Sequence, residues 1–341
     1  MTEYSHSLII HININNSDPI CAIDLNQELL LFGTMLGYCG YYLINSKEMK
    51  IISEIEDEHI FAVQILKDKL SLGVGDEKLI IIEKNINKYK DCIIKEIPNY
   101  DDDGDHYKKC ENMFCMLKNE FLFLIELNIP KDDEKSVDIR LAKWKIKNWN
   151  NNGTIEGNLK ISNFWVPFDF DGKLLIYIDF YEKMEKVLKI YSFKDRKFIL
   201  EKKINDKDDN DYLGHISHIK KLKDERLFLV HNYKLCQIRD LKFNLIKEFE
   251  HSGKEIIACD INYNEKDELE IILLDLNCCI FYYLEKDGKE YYLFNLDKLN
   301  DITREIKDQK FFSMGYPYFI KKYKKYVAVS ADQGLFLFKK I

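Results

Sequence analysis

The stretch Gly214–Asp240 reads GHISHIKKLKDERLFLVHNYKLCQIRD, and its rhythm limits what the whole chain can become. An apolar run, Ile216–Leu222, ends at the charged turn Lys223-Asp224-Glu225. A second, Leu227–Val230, ends at His231-Asn232-Tyr233, and a third, Leu235–Ile238, ends at Arg239-Asp240. Short β-type runs cut by tight polar turns predict an antiparallel meander. One such meander cannot bury its apolar faces alone, so it needs copies of itself as neighbours.

The copies are there. Four runs, Ile20–Leu25, Leu29–Thr34, Tyr38–Ile44 and Lys50–Ile55, form a first unit. Ile60–Leu66, Leu70–Val74, Leu79–Glu83 and Cys92–Ile97 form a second. Met113–Leu117, Phe121–Leu127, Ile139–Ile146 and a weakly patterned Thr154–Ile161 form a third. Trp165–Phe170, Leu174–Phe180, Val187–Phe193 and Phe198–Ile204 form a fourth, with Asp171-Gly172 as a hairpin signal. The opening stretch plus Leu245–Phe249 is the fifth. Ile256–Ile261, Leu269–Leu274, Cys279–Leu284 and Tyr291–Leu296 are the sixth. Leu296, Leu299, Ile302 and Ile306 then switch to helical spacing, which predicts one short helix in a loop.

The seventh unit, Tyr318–Ile320, Tyr326–Ser330 and Leu335–Phe338, is one strand short, and Ser7–Ile14 is a strand with no hairpin partner. Pairing the two leaves no raw sheet edge. The expected fold is therefore all-β: a seven-bladed β-propeller of four-stranded antiparallel blades. Residues 1–341 make one domain, and the N-terminal strand closes the last blade. Second strands start near Leu29, Leu70, Phe121, Leu174, Leu227, Leu269 and Tyr326, at gaps of roughly 40 to 57 residues, a propeller-blade spacing with loop insertions. Composition agrees: 21 Tyr and 21 Phe stand against 5 Pro and 14 Gly, an enrichment that favours sheet.

On these residues the chain resembles the WD-repeat propellers. In that family a Gly-His pair opens a repeat and a Trp-Asp pair closes its third strand. Gly214-His215 and Arg239-Asp240 match that frame, with Arg in place of Trp. Ser330-Ala-Asp332-Gln-Gly334, followed by LFLF, is similar to the family's Ser-x-Asp-x-Gly turn. The resemblance implies a platform for protein assembly with no shared catalysis, and makes His215 a structural hydrogen-bonding residue.

Candidate chemistry is sparse. His215, His218 and His231 are spaced for structure rather than for convergent metal ligation. Asn99–Glu111 (NYDDDGDHYKKCE) invites a calcium reading. With Gly104 at the sixth loop position, however, Cys110 falls at the twelfth, where a Glu is needed. There is no G-x-S-x-G elbow, P-loop or Rossmann glycine fingerprint. No metal, no cofactor and no enzymatic activity are expected, the alternative being carboxylates or a metal in a central channel. The nine cysteines (21, 39, 92, 110, 115, 236, 259, 278 and 279) lie mostly inside apolar runs with no CxxC pair, which predicts reduced buried thiols. The start lacks a signal-peptide pattern and no apolar run spans a bilayer, so a cytoplasmic or nuclear setting is expected.

Charge sorts by loop type. Loops between units, and between second and third strands, collect Asp101, Asp102, Asp103, Asp105, Asp208, Asp209 and Asp211. The opposite loops collect Lys84, Lys88, Lys90, Lys321, Lys322, Lys324 and Lys325. A polarised disc steers partners of opposite charge to its two sides. Trp165, Phe168 and Tyr316 sit at junctions on the acidic side and suit an interface. The expected partners are other proteins of a multisubunit assembly, presenting basic segments to the acidic face. The alternative, given a net charge of −7, is nucleic acid or anionic lipid on the basic face. Solvated turns in a Lys-rich chain would look the same.

Overall fold

The structure, a computed structural model, describes residues 6–12, 18–54, 59–60, 62–66, 70–74, 78–85, 88–89, 93–96, 107–118, 121–130, 137–145, 154–161, 168–180, 186–195, 197–205, 213, 216–231, 234–286, 289–295, 317–332 and 334–340. They form 29 strands, from β1 (His6–Ile12) to β29 (Gly334–Lys340). Sheet 1 holds β2 (Ile20–Leu25), β3 (Leu29–Thr34), β4 (Tyr38–Leu43) and β5 (Glu48–Glu54). Sheet 2 holds β6 (Ala62–Leu66), β7 (Leu70–Val74), β8 (Lys78–Asn85) and β10 (Ile93–Glu96), with the short β9 (Lys88–Tyr89) paired to β8. Sheet 3 holds β11 (Tyr107–Lys118), β12 (Phe121–Pro130), β13 (Val137–Lys145) and β14 (Thr154–Ile161). Sheet 4 holds β15 (Phe168–Phe170), β16 (Leu174–Phe180), β17 (Lys186–Lys194) and β18 (Lys197–Asn205). Sheet 5 holds β19 (Ile216–Lys221), β20 (Arg226–His231), β21 (Leu235–Asp240) and β22 (Leu245–Glu250). Sheet 6 holds β23 (Ile256–Tyr263), β24 (Leu269–Asp275), β25 (Cys279–Leu284) and β26 (Lys289–Asn295). Sheet 7 holds β27 (Pro317–Tyr323), β28 (Tyr326–Ala331) and β29.

The fourth strand of sheet 7 is β1. It runs antiparallel to β29, from His6 opposite Lys340 to Ile12 opposite Leu335, with one register shift between Leu8 and Ile10. Strand order within every sheet is otherwise sequential, as hairpin connections require.

First-turn residues explain several hairpins. Asn26 Oδ1 accepts from the Glu28 and Leu29 amides, both at 2.8 Å, and Asp171 Oδ1 accepts from Lys173 and Leu174, both at 2.8 Å. Asn264 Oδ1 does the same for Lys266 and Glu268 at 2.9 and 3.0 Å. These short side chains fold the turn onto themselves, which is why Asx residues recur there.

Contacts divide the chain into two compact units: Met1–Lys67 with Asn232–Leu235 and Phe249–Ile341, and Asp68–His231 with Cys236–Glu248. In the first, sheet 7 is covered on both faces. Val327, Val329, Ala331, Phe336 and Phe338 pack on Ile272, Leu274 and Ile280 of sheet 6. Tyr326, Ala328, Leu335 and Leu337, the alternate residues, pack with Ile12 on Ile23, Leu30 and Phe32 of sheet 1. Both faces being buried, the inner strands read as continuous apolar runs such as LFLF rather than as alternation. Each large side chain so buried contributes about 1.5–3 kcal/mol. In the second unit Ile176, Ile178, Leu188 and Ile190 of sheet 4 pack on Ile216, Ile219, Leu227 and Leu229 of sheet 5 in the same way.

The outermost strands behave differently. β18 and β22 carry only exposed and half-buried residues, alternating over most of β22 and at both ends of β18.

Several expected bounds shift. β11 starts at Tyr107 instead of Met113, because the polar YKKCEN segment shows no apolar signal yet still pairs with β12. β27 runs on through Lys321 and Lys322, which charge alone had placed in a turn. Thr154–Ile161, the weakest pattern, is a strand. The expected helix over Leu296–Ile306 lies outside the described residues. Among the described residues no helix is long and apolar enough to cross a membrane. Cys21, Cys39, Cys236, Cys259, Cys278 and Cys279 are free thiols, three of them buried. Cys21 donates to the Ile60 carbonyl at 3.1 Å, and burial pushes its thiol up to about 12, which keeps it protonated.

Candidate functional site

In the first unit, one edge of each stacked sheet is tied by the same bonds. In sheet 1 the Met35 amide donates to Pro19 O (3.0 Å) and the Leu36 amide to Asp18 Oδ1 (2.9 Å). In sheet 6 the Leu276 amide donates to Glu255 O (2.8 Å) and the Lys254 amide to Asp275 Oδ2 (3.2 Å). In sheet 7 the Tyr318 hydroxyl donates to Asp332 Oδ1. In sheets 1 and 6 these bonds join the segment leading into the first strand to the turn between the second and third, and in sheet 7 a side chain at the start of β27 makes the equivalent tie.

That turn is itself a repeat. Thr34 Oγ1 accepts the Tyr38 amide (3.0 Å), and Asp275 Oδ1 accepts the Cys279 amide (2.7 Å), four residues on in both. Gly37, Lys234 and Cys278, each just before a third strand, and Gly334, which opens one, have positive φ of 89°, 62°, 57° and 119°. The Asp332 and Gly334 of the sequence motif occupy this turn.

The same edge carries apolar side chains in water. Met35 and Leu276 are exposed, Leu36 is 53% exposed, and Phe319 near the start of β27 is 42% exposed. Met35-Leu36-Gly37 separates the two expected runs Leu29–Thr34 and Tyr38–Ile44, and the sequence assigned it no contact. The signal was the two apolar residues themselves, at positions where turns are ordinarily polar.

A second constellation lies on the first strands. Asp24 on β2 accepts the Ile65 amide of β6 (2.7 Å), and Asp260 on β23 accepts the Lys322 amide of β27 (2.8 Å). In the second unit Asp169 on β15 accepts the Lys221 amide of β19 (2.7 Å). The residue before two of these donors, Lys321 and Lys220, pairs with the same carboxylate. Lys321 Nζ lies 3.3 Å from Asp260, and Lys220 Nζ lies 2.6 Å from Asp169.

The Asp260 charge holds Lys321 above the ordinary lysine range, burial opposes it, and Asp24 adds to it. Burial pushes Asp24 above the usual carboxylate range against the pull of Lys321 and two backbone amides. Chemically these carboxylates are struts between neighbouring sheets. Two members of the expected basic turn, Lys321 and Lys322, are accordingly strand residues engaged by Asp260 and Glu270, and Lys324 pairs with Glu265 at 3.0 Å.

Of the other expected site residues, Phe168 opens β15. Arg239 takes the place of the repeat Trp: its Nε donates to Gln237 Oε1 and its Nη1 to Phe243 O, both at 2.7 Å. The Arg239 guanidinium also lies 4.6 Å from the Phe243 ring centroid, so it fills the role of the missing ring by stacking. Asp240 accepts from the Asn244 side chain and amide, which hold its carboxyl below the usual range. Asp101, Asp102, Asp103, Asp105, Trp165, Asp208, Asp209, Asp211, Tyr316, Gly214 and His215 lie outside the described residues. Among the described residues no group of three His, Cys, Asp or Glu converges as metal ligands do.

The Asp171–Lys221 pair, 2.6 Å apart, gives a pH test. Burial would raise the Asp171 carboxyl, but the bonds from Lys221, Leu174 and Lys173 outweigh it and hold it below its ordinary value. A depressed carboxyl stabilises the fold above its unfolded pKa, and that share is lost as pH falls through the folded value. Asp171→Asn, which keeps the turn acceptor, is expected to lower stability at pH 7 by about 1 kcal/mol. The gap between variant and wild type, read from urea midpoints, should close between about pH 4 and pH 2. A gap unchanged down to pH 2 contradicts it.

No family model matches the chain, and no curated protein matches it in sequence. Solved structures do match. The WD40 β-propeller domain of Doa1 aligns with a TM-score of 0.59 and 10% identity, over 98% of this chain and 96% of that one. A computationally designed protein, Ika8, aligns with a TM-score of 0.59 and 9% identity, over 98% of this chain and 100% of that one. Identity this low carries the fold and nothing about activity. With its four-stranded antiparallel sheets in sequential order, the chain has the fold of a WD-repeat β-propeller.

Proposed function

We propose that residues 1–341 form a single seven-bladed propeller, closed by its N-terminal strand, which serves as a non-catalytic scaffold in a multiprotein assembly. The observation that carries this reading is the edge of the first unit. Met35, Leu36 and Leu276 on hydrogen-bonded turns, and Phe319 near the start of β27, hold apolar surface in water. Exposed apolar groups on a fixed frame suit docking, where ordering costs have already been met. The acidic residues Asp101, Asp102, Asp103, Asp105, Asp208, Asp209 and Asp211, with Trp165, Phe168 and Tyr316, are assigned by their sequence positions to the same side and would select a basic partner. The inner carboxylates Asp24, Asp169 and Asp260 are engaged in joining sheets, which favours a scaffold over channel chemistry. An intracellular setting, cytoplasmic or nuclear, suits a chain in which Cys21, Cys39, Cys236, Cys259, Cys278 and Cys279 take part in no disulfide.

The test is affinity purification of the tagged chain from its native cells, in parallel with a Leu36→Glu/Phe319→Glu variant. A stoichiometric protein partner that the variant loses while keeping its melting temperature is the expected result. Recovery of the wild-type chain alone, as a monomer, contradicts the scaffold reading.

A further inference from the structure

A cavity of about 100 Å³ opens between sheets 6 and 7 of the first unit, at the edge opposite the apolar turns. Glu270, Tyr282, Leu293, Lys322, Lys324, Val327 and Lys340 line it, three ammonium groups against one carboxylate. The polar floor is built. Glu270 accepts from the Tyr282 hydroxyl (2.6 Å) on one oxygen and from Lys322 Nζ (2.5 Å) on the other. Both partners of that pair are only 13% exposed.

Lys322 is fixed at its backbone as well, its amide bonded to Asp260 and its carbonyl to Asn262 Nδ2 (2.9 Å). Lys324 sits at the β27–β28 turn with its ammonium 3.0 Å from the outlying Glu265. Lys340, the last residue of β29, is in a setting that disfavours its charge: burial pulls its ammonium below the usual lysine range, and Lys322 adds repulsion that Glu270 only partly offsets.

Glu270 and the outlying Glu265 pair with Lys322 and Lys324, and the three lining ammonium groups still outnumber these two carboxylates. At roughly 30 Å³ per water, the cavity has the room of about three waters. That is enough for a tetrahedral oxyanion and too little for a nucleoside or a sugar. Lys supplies the point-charge donors that phosphate recognition uses.

We infer that this cavity is a binding site for a single phosphate group, held by Lys322, Lys324 and Lys340 over the Glu270–Tyr282 floor. It goes beyond the docking reading and does not depend on it, because it lies at the other edge of the same sheets. It also differs from a polyanion-binding basic face, since it takes one phosphate and no polymer.

The test titrates the full chain calorimetrically with inorganic phosphate at constant ionic strength, with chloride as the reference salt and O-phosphoserine as a second ligand. Saturable one-site binding of phosphate is expected, with none for chloride. Lys340→Met, on an exposed strand end that leaves the Glu270 pair intact, should weaken binding at least about tenfold, an effect of ~1.4 kcal/mol. Lys325→Met, beside the Tyr326 ring and outside the cavity lining, should leave it unchanged. Tighter binding of O-phosphoserine assigns the site to a phosphorylated side chain, and tighter binding of inorganic phosphate to the free ion. Absence of saturable binding by either ligand, or equal loss in the Lys340 and Lys325 variants, overturns the site whatever the scaffold experiment shows.

Discussion

Gly334→Ala is expected to destabilise the chain by about 4 kcal/mol, the sum of a strained backbone and a buried clash. Gly334 opens β29 at φ 119°, a conformation that side chains rarely adopt. A Cβ there would lie 2.2 Å from Ile12 O, and Ile12 is the last residue of β1. Neither neighbour can give way easily, since the clash is with backbone that is paired across the sheet to Leu335. Relief requires the end of β1 to peel from β29, which uncovers Leu335 and Leu337, both fully buried. Lys339→Ala on the same strand is exposed, and should change stability by less than about 0.5 kcal/mol. Urea unfolding of the two variants beside wild type measures the contrast. A Gly334→Ala loss no larger than that of Lys339→Ala would mean that β1 does not sit where the structure places it.

Asp260→Ala should cost about 2 kcal/mol, because it takes a buried carboxylate away from two amide donors and from Lys321, whose side chain is 41% exposed. The carboxylate accepts the Lys322 amide at 2.8 Å, Asn262 Nδ2 at 2.7 Å and Lys321 Nζ at 3.3 Å. Without it the Lys321 ammonium keeps only the more distant Asp24 charge, and the β27 amide loses its acceptor. Adding Lys321→Met to Asp260→Ala removes the stranded charge and should recover about 1 kcal/mol or more of the loss, a coupling a double-mutant cycle measures. Strict additivity of the two changes would show that they do not interact. Equivalent struts at Asp24 and Asp169 predict losses of the same order for their Ala variants.

Much of the architecture was legible because inner strands are buried on both faces. LLLF at 29–32, LFLV at 227–230 and LFLF at 335–338 stand out as continuous apolar runs between polar turns, and each became a central strand. Asp171 marked its turn through bonds that need no long-range partner. β1 was legible by elimination: one strand without a neighbour, and one sheet short of a strand.

What the residues hid were features that depend on two sheets at once. Lys321 and Lys322 look like a turn until Asp260 and Glu270, some fifty to sixty positions earlier, are brought beside them. Asp24, Asp169 and Asp260 read as ordinary alternating polar residues, because an amide donor on the next sheet leaves no trace in the local pattern. β9 was missed because Lys88–Tyr89 is too short to show a period. The apolar turn at Met35-Leu36 was visible, but turn assignment rests on Gly37 and says nothing of what the neighbouring side chains touch.

The central claim is that the N-terminal strand completes the last sheet of a closed ring used for docking. Its most direct test is a crosslink at the seam. Ser7 and Lys339 are opposed across β1 and β29, and opposed antiparallel Cα atoms about 4.5–5.5 Å apart lie within disulfide reach. In a Ser7→Cys/Lys339→Cys variant, mild oxidation of the folded chain followed by peptide mapping should recover positions 7 and 339 joined within one chain. A Ser7→Cys/Lys325→Cys control should stay open. Linkage between two different chains, or no linkage under conditions that leave the fold intact, would contradict closure by the chain's own N-terminal strand.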